Sequence, residues 1–131
     1  MTEPKMTDGK KEIELIKIEA IVRDEMFVDV RNALAEIGIN GMTAYQVAGY
    51  GAQRGVCEFV RGQKVNVHTV PKIKFEIVVS SGDWEEKTIE TIKKTAFIGH
   101  PGDGKIFSYP IRRAVKIRTG ETGSEAVQSQ V

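Results

Sequence analysis

The stretch PKIKFEIVVS, residues 71–80, decides the fold. Its isoleucines and phenylalanine alternate with charged residues, and this period of two predicts a β-strand. A serine-rich stop follows at once, and Asp83 is placed to cap a helix that the apolar spacing carries to about Gly99. A strand that runs directly into a helix of this length predicts one half of an α+β domain.

The other elements complete the domain. The run IELIKIEAIV predicts a largely buried strand, and the apolar spacing after it predicts a helix that begins at Asp24 and stops at Gly38. The order strand, helix, strand, strand, helix, strand is the ferredoxin-like split βαβ arrangement (βαββαβ), an α+β fold whose antiparallel sheet carries both helices on one face. The predicted strands cover residues 13–22, 42–48, 71–80, 105–111 and, as a shorter fifth strand, 113–119.

A chain of 131 residues suits one domain with one core. We predict a disordered extension over residues 1–12, a folded domain over 13–121 and a partly ordered C-terminal tail over 122–131. The segment from residue 51 to residue 70 is long for a connection inside a compact domain. Either it is a functional loop, or its ends continue the two flanking strands as a hairpin arm.

Composition and charge argue against several classes of protein. With 40% apolar residues, 28% charged residues and a net charge of +1, nothing in the bulk charge favours nucleic acid or an anionic membrane surface. The single Cys57 cannot form an internal disulfide, which fits a reducing cytoplasm. No apolar run reaches the ~20 residues that span a bilayer, and the polar start lacks a signal-peptide core, so we expect a cytoplasmic protein.

Two glycine-rich stretches are candidates for binding an anion. GYGAQRG, residues 49–55, lacks the spacing of the dinucleotide fingerprint and precedes no helix, so it is most simply a strand exit into a flexible loop. HPGDGKIF, residues 100–107, is not a Walker motif, because Ile106 follows Lys105 and a strand comes next. It is either a tight turn or a nest of amides that binds an anion beside Lys105.

A third stretch, RRAVKIRTGE at residues 112–121, carries two cations of interest. In a strand, Lys116 and Arg118 share one face, where they form either a solvated edge or a cationic patch. If the three stretches meet in space, their glycines and cations together favour a polyphosphate site. The two histidines and the single cysteine show no metal-ligand spacing, and no serine has an evident base, so we expect no catalytic residue.

These stretches together resemble the PII signal-transduction family from about Ile16 to Glu121. The resemblance implies a homotrimer that binds ATP or ADP in the clefts between neighbouring subunits. It also implies Mg²⁺ held by ATP, 2-oxoglutarate as an effector, and a long T-loop that docks on a transporter, an enzyme or a regulator in nitrogen metabolism. A transporter partner would recruit the protein to the membrane. The residues that carry the resemblance are GMT (41–43), GYGAQRG, RG (61–62), PKIKFEIVV, GDGKIF (102–107) and KIRTGE (116–121).

The resemblance also implies roles for particular residues. Gln53 and Lys72 would bind 2-oxoglutarate, and Gln53 would also help to hold the ATP-bound Mg²⁺. The T-loop, at about residues 51–70, would bind the partner through Arg61, Gly62 and Lys64. The nucleotide would be bound by Thr43, Gly51, Gln53, Glu76, Val78, Gly102, Asp103, Gly104, Lys105, Lys116 and Arg118.

Several positions depart from the family pattern. Val65 stands where many members carry a uridylylated tyrosine, and Gln63 stands where others carry a phosphorylated serine, so we expect neither modification. Ala52 replaces a basic residue, and Lys116 replaces an arginine and gives up bidentate geometry. His100-Pro101 stands where many members have Lys-Ile, which makes that loop stiffer and less basic. We interpret the chain as a diverged member of the family.

Other functions remain open from the sequence. A slow nucleotide hydrolase would use the same cleft, although no residue supplies a clear base. A diverged adenylate sensor could take a different small anion and a partner outside nitrogen metabolism. An RNA-binding module is the third hypothesis, and the net charge of +1 disfavours it.

Overall fold

The computed structural model describes residues 15–51, 58–60, 63–65 and 68–128. The extension predicted over residues 1–12 lies outside them. A single 3₁₀ turn, Asp24–Met26, joins the first strand to the first helix. In chain order the other elements are β1 Leu15–Arg23, α1 Phe27–Glu36, β2 Thr43–Gly51, β3 Glu58–Val60, β4 Gln63–Val65, β5 His68–Val79, α2 Gly82–Ala96, β6 Gly104–Ile111 and α3 Ser124–Gln128.

The main sheet has four strands in the order β2-β5-β1-β6, and every neighbouring pair is antiparallel. This is the strand order of the ferredoxin-like split βαβ fold, so the predicted α+β class and topology are confirmed. One row across the sheet pairs Thr43 with Glu76, Glu76 with Glu19 and Glu19 with Phe107. β3 and β4 form a separate two-stranded ribbon.

The core lies between one face of the sheet and the two long helices. Ile18 on β1 and Phe75 on β5 are fully buried, as are Leu34 on α1 and Ile92 on α2. Burial of each such side chain away from water stabilises the folded state by about 2 kcal/mol. Because side chains alternate along a strand, the opposite face of the sheet presents the charged residues between these apolar ones. That second face, which we call the open face, lies on the side of the sheet away from α1 and α2 and carries the site described below.

Both helices begin differently from the sequence-based expectation. Asp24 does not cap α1: it begins the 3₁₀ turn, and the residue before α1, Met26, makes no side-chain capping bond. α2 is capped by Ser81, whose hydroxyl oxygen accepts from the Trp84 amide at 3.2 Å, and not by Asp83. Ser81 has the extended backbone of an N-cap, whereas Asp83 already lies inside the helix, where its charge favours the positive end of the helix dipole.

The long segment between the second and third predicted strands begins and ends as a hairpin arm. β2 continues to Gly51 and β5 starts at His68, and these two residues are paired in the antiparallel register. The hairpin alternative therefore describes the ends of the segment, and the predicted strand bounds of 42–48 and 71–80 were too short. The alternation is hard to see there because glycines interrupt it.

The fifth strand predicted over residues 113–119 is wrong. The chain there makes one isolated bridge, Val115 to Thr122, and turns back on itself. The Lys116 amide donates to the Glu121 carbonyl, and the Gly120 amide donates to the Lys116 carbonyl, both at 2.8 Å. Gly120, with φ of +75°, takes a left-handed conformation that no strand uses, so the local β propensity is overridden. We call this turn-back, residues 114–123, the C-terminal hairpin.

Candidate functional site

The start of β2 and the end of β5 form one wall of an open groove of about 1110 Å³, and the C-terminal hairpin and α3 form the other. Thr43 and Glu76 are register partners on the first wall, and Val78 follows on the same side of β5. Lys116 and Arg118 lie on the hairpin wall. The fold thus brings together five residues that the sequence predicted for one site, although the two cations do so through a turn and not through strand alternation. The apolar remainder of the lining is Met42, Ala114, Val115, Ile117, Ala126 and Val127.

Glu76 is held in place on the open face. One carboxylate oxygen, Oε1, lies 3.2 Å from the Lys17 ammonium and accepts from the Tyr45 hydroxyl at 3.3 Å. The hydrogen bond with Glu76 raises the pKa of Lys17 above its ordinary 10.5. A carboxylate fixed in this way presents an acceptor of defined position to the groove.

A second carboxylate extends this ionic cluster across the open face. Glu19 accepts from the Tyr109 hydroxyl at 2.9 Å and lies 3.5 Å from the Lys74 ammonium. The hydrogen bond from Tyr109, followed by the charge of Lys74, lowers the pKa of Glu19, and the same bond to Glu19 raises the pKa of Tyr109. With Lys17 also 3.7 Å from Glu19, the charges at the centre of the open face compensate one another.

The glycine turn before β6, residues 99–104, is built around the carboxylate of Asp103. Oδ2 accepts from the amides of Ile98 at 3.0 Å and Gly99 at 2.8 Å. Oδ1 accepts from Nε and Nη2 of Arg23, both at 3.3 Å. These backbone amides, and then Arg23, hold the pKa of Asp103 below its ordinary 3.8. Asp103 is thus an internal anchor of the turn.

Both glycines of the GDG sequence are required by this geometry. Gly104 has φ of +113°, and a Cβ there would lie 1.9 Å from the Ile21 carbonyl oxygen. Gly102 has φ of +103°, and a Cβ there would lie 3.2 Å from Nη2 of Arg23. The tight-turn alternative therefore explains the two glycines without a ligand. Anion binding by the amides of the turn stays a prediction.

Lys72 links the two glycine-rich stretches. Its ammonium donates to the Gly102 carbonyl, and its aliphatic stem lies against Gly49, where a Cβ would be 3.0 Å from Cγ of Lys72. The register partner of Lys72 on β1 is Arg23, whose Nη2 donates to the Pro101 carbonyl at 3.0 Å. Two cations therefore lie side by side under the turn. Sequence reasoning missed Arg23, because only the β1–β5 register places it beside Lys72.

The groove and the glycine turn are separate regions of one chain. Glu76 and Lys72 lie four residues apart on the same face of β5, which is about 13 Å along the strand. Lys116 and Arg118 are at the Glu76 end, while Lys105 follows the turn at the Lys72 end. The expectation that all the glycines and cations converge is therefore not met within a single chain.

Part of the predicted site falls outside the described residues. Gln53, Arg61 and Gly62 lie there, as does Ala52. Gly51 is the last residue of β2, and Lys64 is in β4. Within the described ranges, no three His, Cys, Asp or Glu side chains group as metal ligands. In the same ranges no helix is long and apolar enough to cross a membrane.

The fold and the groove define a ferredoxin-like α+β domain with an open groove at the edge of its sheet. The profile of the family described as "Nitrogen regulatory protein P-II" matches residues 15–121. The "Nitrogen regulatory protein P-II" of Pasteurella multocida is 45% identical over 111 residues, which is 85% of this chain and 98% of that protein. The chain belongs to the PII family of nitrogen regulatory signal-transduction proteins, and the predicted family membership is confirmed.

Solved structures agree with this assignment. A structure of a Bacillus subtilis GlnK–ATP complex superposes with a TM-score of 0.71 at 34% identity, covering 88% of this chain and 99% of that one. A structure of Arabidopsis thaliana PII bound to citrate gives a TM-score of 0.69 at 39% identity, covering 86% and 92% of the two chains. Both match over nearly their whole length, so the likeness extends to the complete domain.

Proposed function

We propose that this protein binds ATP and ADP in clefts between neighbouring chains of a homotrimer and signals the bound state through its T-loop. The observation that carries the proposal is the groove in which Thr43, Glu76 and Val78 face Lys116 and Arg118. Its apolar lining suits a planar base, its fixed carboxylate suits a hydroxyl or amino donor, and its cations suit phosphates. The structure of GlnK with ATP supports this ligand class.

The separation of the two halves of the site supports a cleft shared between chains. The cations of the C-terminal hairpin line the groove, and Ile117 between them is fully exposed. Lys72 lies about 13 Å from Glu76 along β5, and Lys105 is on β6 directly after the glycine turn. If each hairpin reaches the glycine turn of a neighbour, the phosphates meet cations from two chains. The residues around the phosphates would then be Gly51, Gly102, Gly104, Lys105, Lys116 and Arg118, and Asp103 would lie between the two glycines of the turn.

The open face supports the trimer. It carries large side chains that a monomer leaves in water, including Phe107 at 49% and Tyr45 at 41% exposure. Its charges are already paired, with Lys17, Lys74, Glu19 and Glu76 within 3.7 Å of a partner. Paired and hydrogen-bonded charges can be buried at far lower cost than isolated ones. The same face can therefore pack against other copies.

The second ligand is a small anion. Membership of the PII family favours 2-oxoglutarate, bound together with the Mg²⁺ that ATP holds. Lys72 supplies a cation for a carboxylate, and a related PII structure holds citrate. Gln53 would complete the contacts to the anion and to the Mg²⁺. Mg²⁺ supplies charge neutralisation and orients the phosphate oxygens. A different small anion, and a partner outside nitrogen metabolism, is the alternative.

Signalling follows from the difference between ligands. ATP and ADP, with or without the anion, would stabilise different states of the T-loop, and the shift cannot exceed the difference in their binding free energies. Arg61, Gly62 and Lys64 would then contact a transporter, an enzyme or a regulator, at the membrane when the partner is a transporter. We place the protein in the cytoplasm and assign it no catalytic residue. A slow nucleotide hydrolase in the same cleft is the competing function.

Calorimetry with ATP, ADP and AMP on the full chain tests the proposal, together with sedimentation to measure the mass in solution. We expect micromolar binding of ATP and ADP, weaker binding of AMP, and a trimer. Replacing Arg118 by Ala should weaken ATP at least tenfold, whereas Lys94→Ala, on the exposed face of α2, should not. Absence of adenylate binding at millimolar ligand would refute the proposal.

A further inference from the structure

We infer that Asp103 and Arg23 form a positioning pair, which shapes the glycine turn for its ligand without touching that ligand. The inference rests on the proposed nucleotide site, because it concerns how the turn presents Gly102, Gly104 and Lys105. Asp103 lies within the sequence expected to contact phosphates. Its side chain is directed instead into its own loop and toward β1.

The carboxylate of Asp103 is fully engaged. Oδ2 accepts the two successive amides of Ile98 and Gly99, and Oδ1 accepts both Nε and Nη2 of Arg23. The side chains of Arg23 and Asp103 are only 22% and 23% exposed. A carboxylate facing phosphates would repel them, whereas a carboxylate that binds amides and a guanidinium inside the loop has its charge neutralised there.

Arg23 holds the other side of the same turn. Nη2 also donates to the Pro101 carbonyl, and the guanidinium lies against the backbone of Gly102, 3.2–3.5 Å from the place of a Cβ. One side chain thus bonds the residue before Gly102, packs on Gly102 itself and pairs with the residue after it. The packing explains why a larger side chain at position 102 would push Arg23 away from Asp103.

The ends of the turn are fixed separately, so the pair controls what lies between them. At the far end, Gly104 is paired with Val22 on β1, and a Cβ there would lie 1.9 Å from the Ile21 carbonyl oxygen. At the near end, only the Asp103 carboxylate ties down the amides of Ile98 and Gly99 among the hydrogen bonds described. Loss of the pair should therefore loosen the near end and displace the backbone of residues 99–103, while β6 stays in register.

Two variants separate positioning from direct contact. Asp103→Asn places an amide donor against either Arg23 or the amides of Ile98 and Gly99, which leaves two donors facing each other, and Arg23→Gln removes the guanidinium. Each should weaken ATP about tenfold in calorimetry, and the double variant should weaken it no more than either alone, because both break one device. Arg23→Lys should recover part of the loss, since it keeps the charge. Asp29→Asn, an exposed aspartate on α1, is the matched control and should change nothing.

A measurement without nucleotide distinguishes failure of the inference from failure of the proposed function. In the ligand-free protein, hydrogen exchange at the Ile98 and Gly99 amides should speed up at least tenfold in Asp103→Asn and in Arg23→Gln, with β6 amides unchanged. If exchange is faster in the two variants but the wild type does not bind ATP, the positioning role of the Asp103–Arg23 pair is supported and the nucleotide site is refuted. Unchanged exchange, strictly additive losses of ATP affinity, or tighter ATP binding by Asp103→Asn would overturn the positioning role.

Discussion

Arg23 and Lys72 face each other across the β1–β5 ladder, and both end on the backbone of one glycine turn. Arg23 donates to the Pro101 carbonyl at 3.0 Å, and Lys72 donates to the carbonyl of the next residue, Gly102. Two like charges on paired positions repel, and carbonyl oxygens between them reduce that cost. The turn is therefore attached to the centre of the sheet, so a ligand that binds Lys72 must also affect the turn.

The close approach of the turn to β1 gives a first prediction, on stability. Gly104→Ala should lower the free energy of unfolding by at least about 2 kcal/mol, because the conformation is left-handed and the added methyl meets backbone. The clash is with the Ile21 carbonyl at 1.9 Å, which no side-chain rotation relieves. Urea denaturation measures the change.

Gly82→Ala is the matched control for that substitution. Nothing lies within 4 Å of a Cβ at position 82, which is the first residue of α2. Alanine is the better helix former, so this variant should be neutral or up to about 1 kcal/mol more stable. Equal losses in the two variants would mean that the contact with Ile21 is not what requires glycine at position 104.

Asp103 should make stability depend on acid pH. Its amide and guanidinium partners lower its pKa in the folded state below the ordinary 3.8, so the unfolded chain binds the proton more readily. The contribution of Asp103 to stability is therefore complete above pH ~4 and is lost as the pH falls through the lower folded value. Comparing urea midpoints of the wild type and Asp103→Asn between pH 6 and pH 2.5 tests this. The gap between the two proteins should close as the pH falls, and a constant gap would contradict the assignment.

A buried hydroxyl gives a prediction of gained stability. Thr88 on α2 is fully buried, and its Oγ1 has no hydrogen-bond partner within the described residues. Thr88→Val keeps the shape and removes the unsatisfied polar atom, so it should raise the free energy of unfolding by about 1 kcal/mol. Thr91, whose hydroxyl donates to the Lys87 carbonyl at 2.7 Å near the surface, is the control. Thr91→Val should change stability by no more than about 0.5 kcal/mol, and the two variants would differ little if Thr88 had a water partner.

The fold could be predicted from the sequence because the residue patterns that indicate its strands and helices are local. Alternation over residues 71–80 and the helix that follows are each decided by a few neighbouring side chains, and the βαββαβ order leaves one compact arrangement. The fifth strand failed because the β-branched residues before Gly120 favour a strand, while the glycine reverses the chain. Arg23 could not be found because its role depends on a partner 80 residues away. The site depends on contacts between residues that are far apart in the sequence, and patterns within a single sequence do not show those contacts.

Lys72 should separate the anion response from nucleotide binding. Lys72→Ala removes one of the paired cations, so we expect loss of any effect of 2-oxoglutarate on ATP-loaded protein, while ADP affinity changes less than about twofold. Titration of 2-oxoglutarate with and without Mg²⁺ measures the first, and calorimetry with ADP measures the second. Lys94→Ala serves as the control for charge. If ADP binding falls together with the anion response, the bond from Lys72 to the Gly102 carbonyl is required for the shape of the turn itself.

Mixing two variants that each bind nucleotide weakly should restore tight nucleotide binding if the cleft is shared between chains. Lys105 lies beside the glycine turn and Arg118 lies in the groove on the C-terminal hairpin, which are separate regions of one chain. Lys105→Ala and Arg118→Ala homotrimers should each bind ATP at least tenfold more weakly than the wild type.

In refolded mixtures of the two variants, some clefts receive Lys105 from one chain and Arg118 from its neighbour, and those clefts are intact. Calorimetry should then show a fraction of sites with wild-type affinity, and the fraction should be largest at equal proportions. If one chain supplied both residues to the same cleft, every cleft in the mixture would carry a substitution and no tight sites would return. A mixture of Lys105→Ala with Lys105→Met chains is the control, since no arrangement of those chains rebuilds an intact cleft.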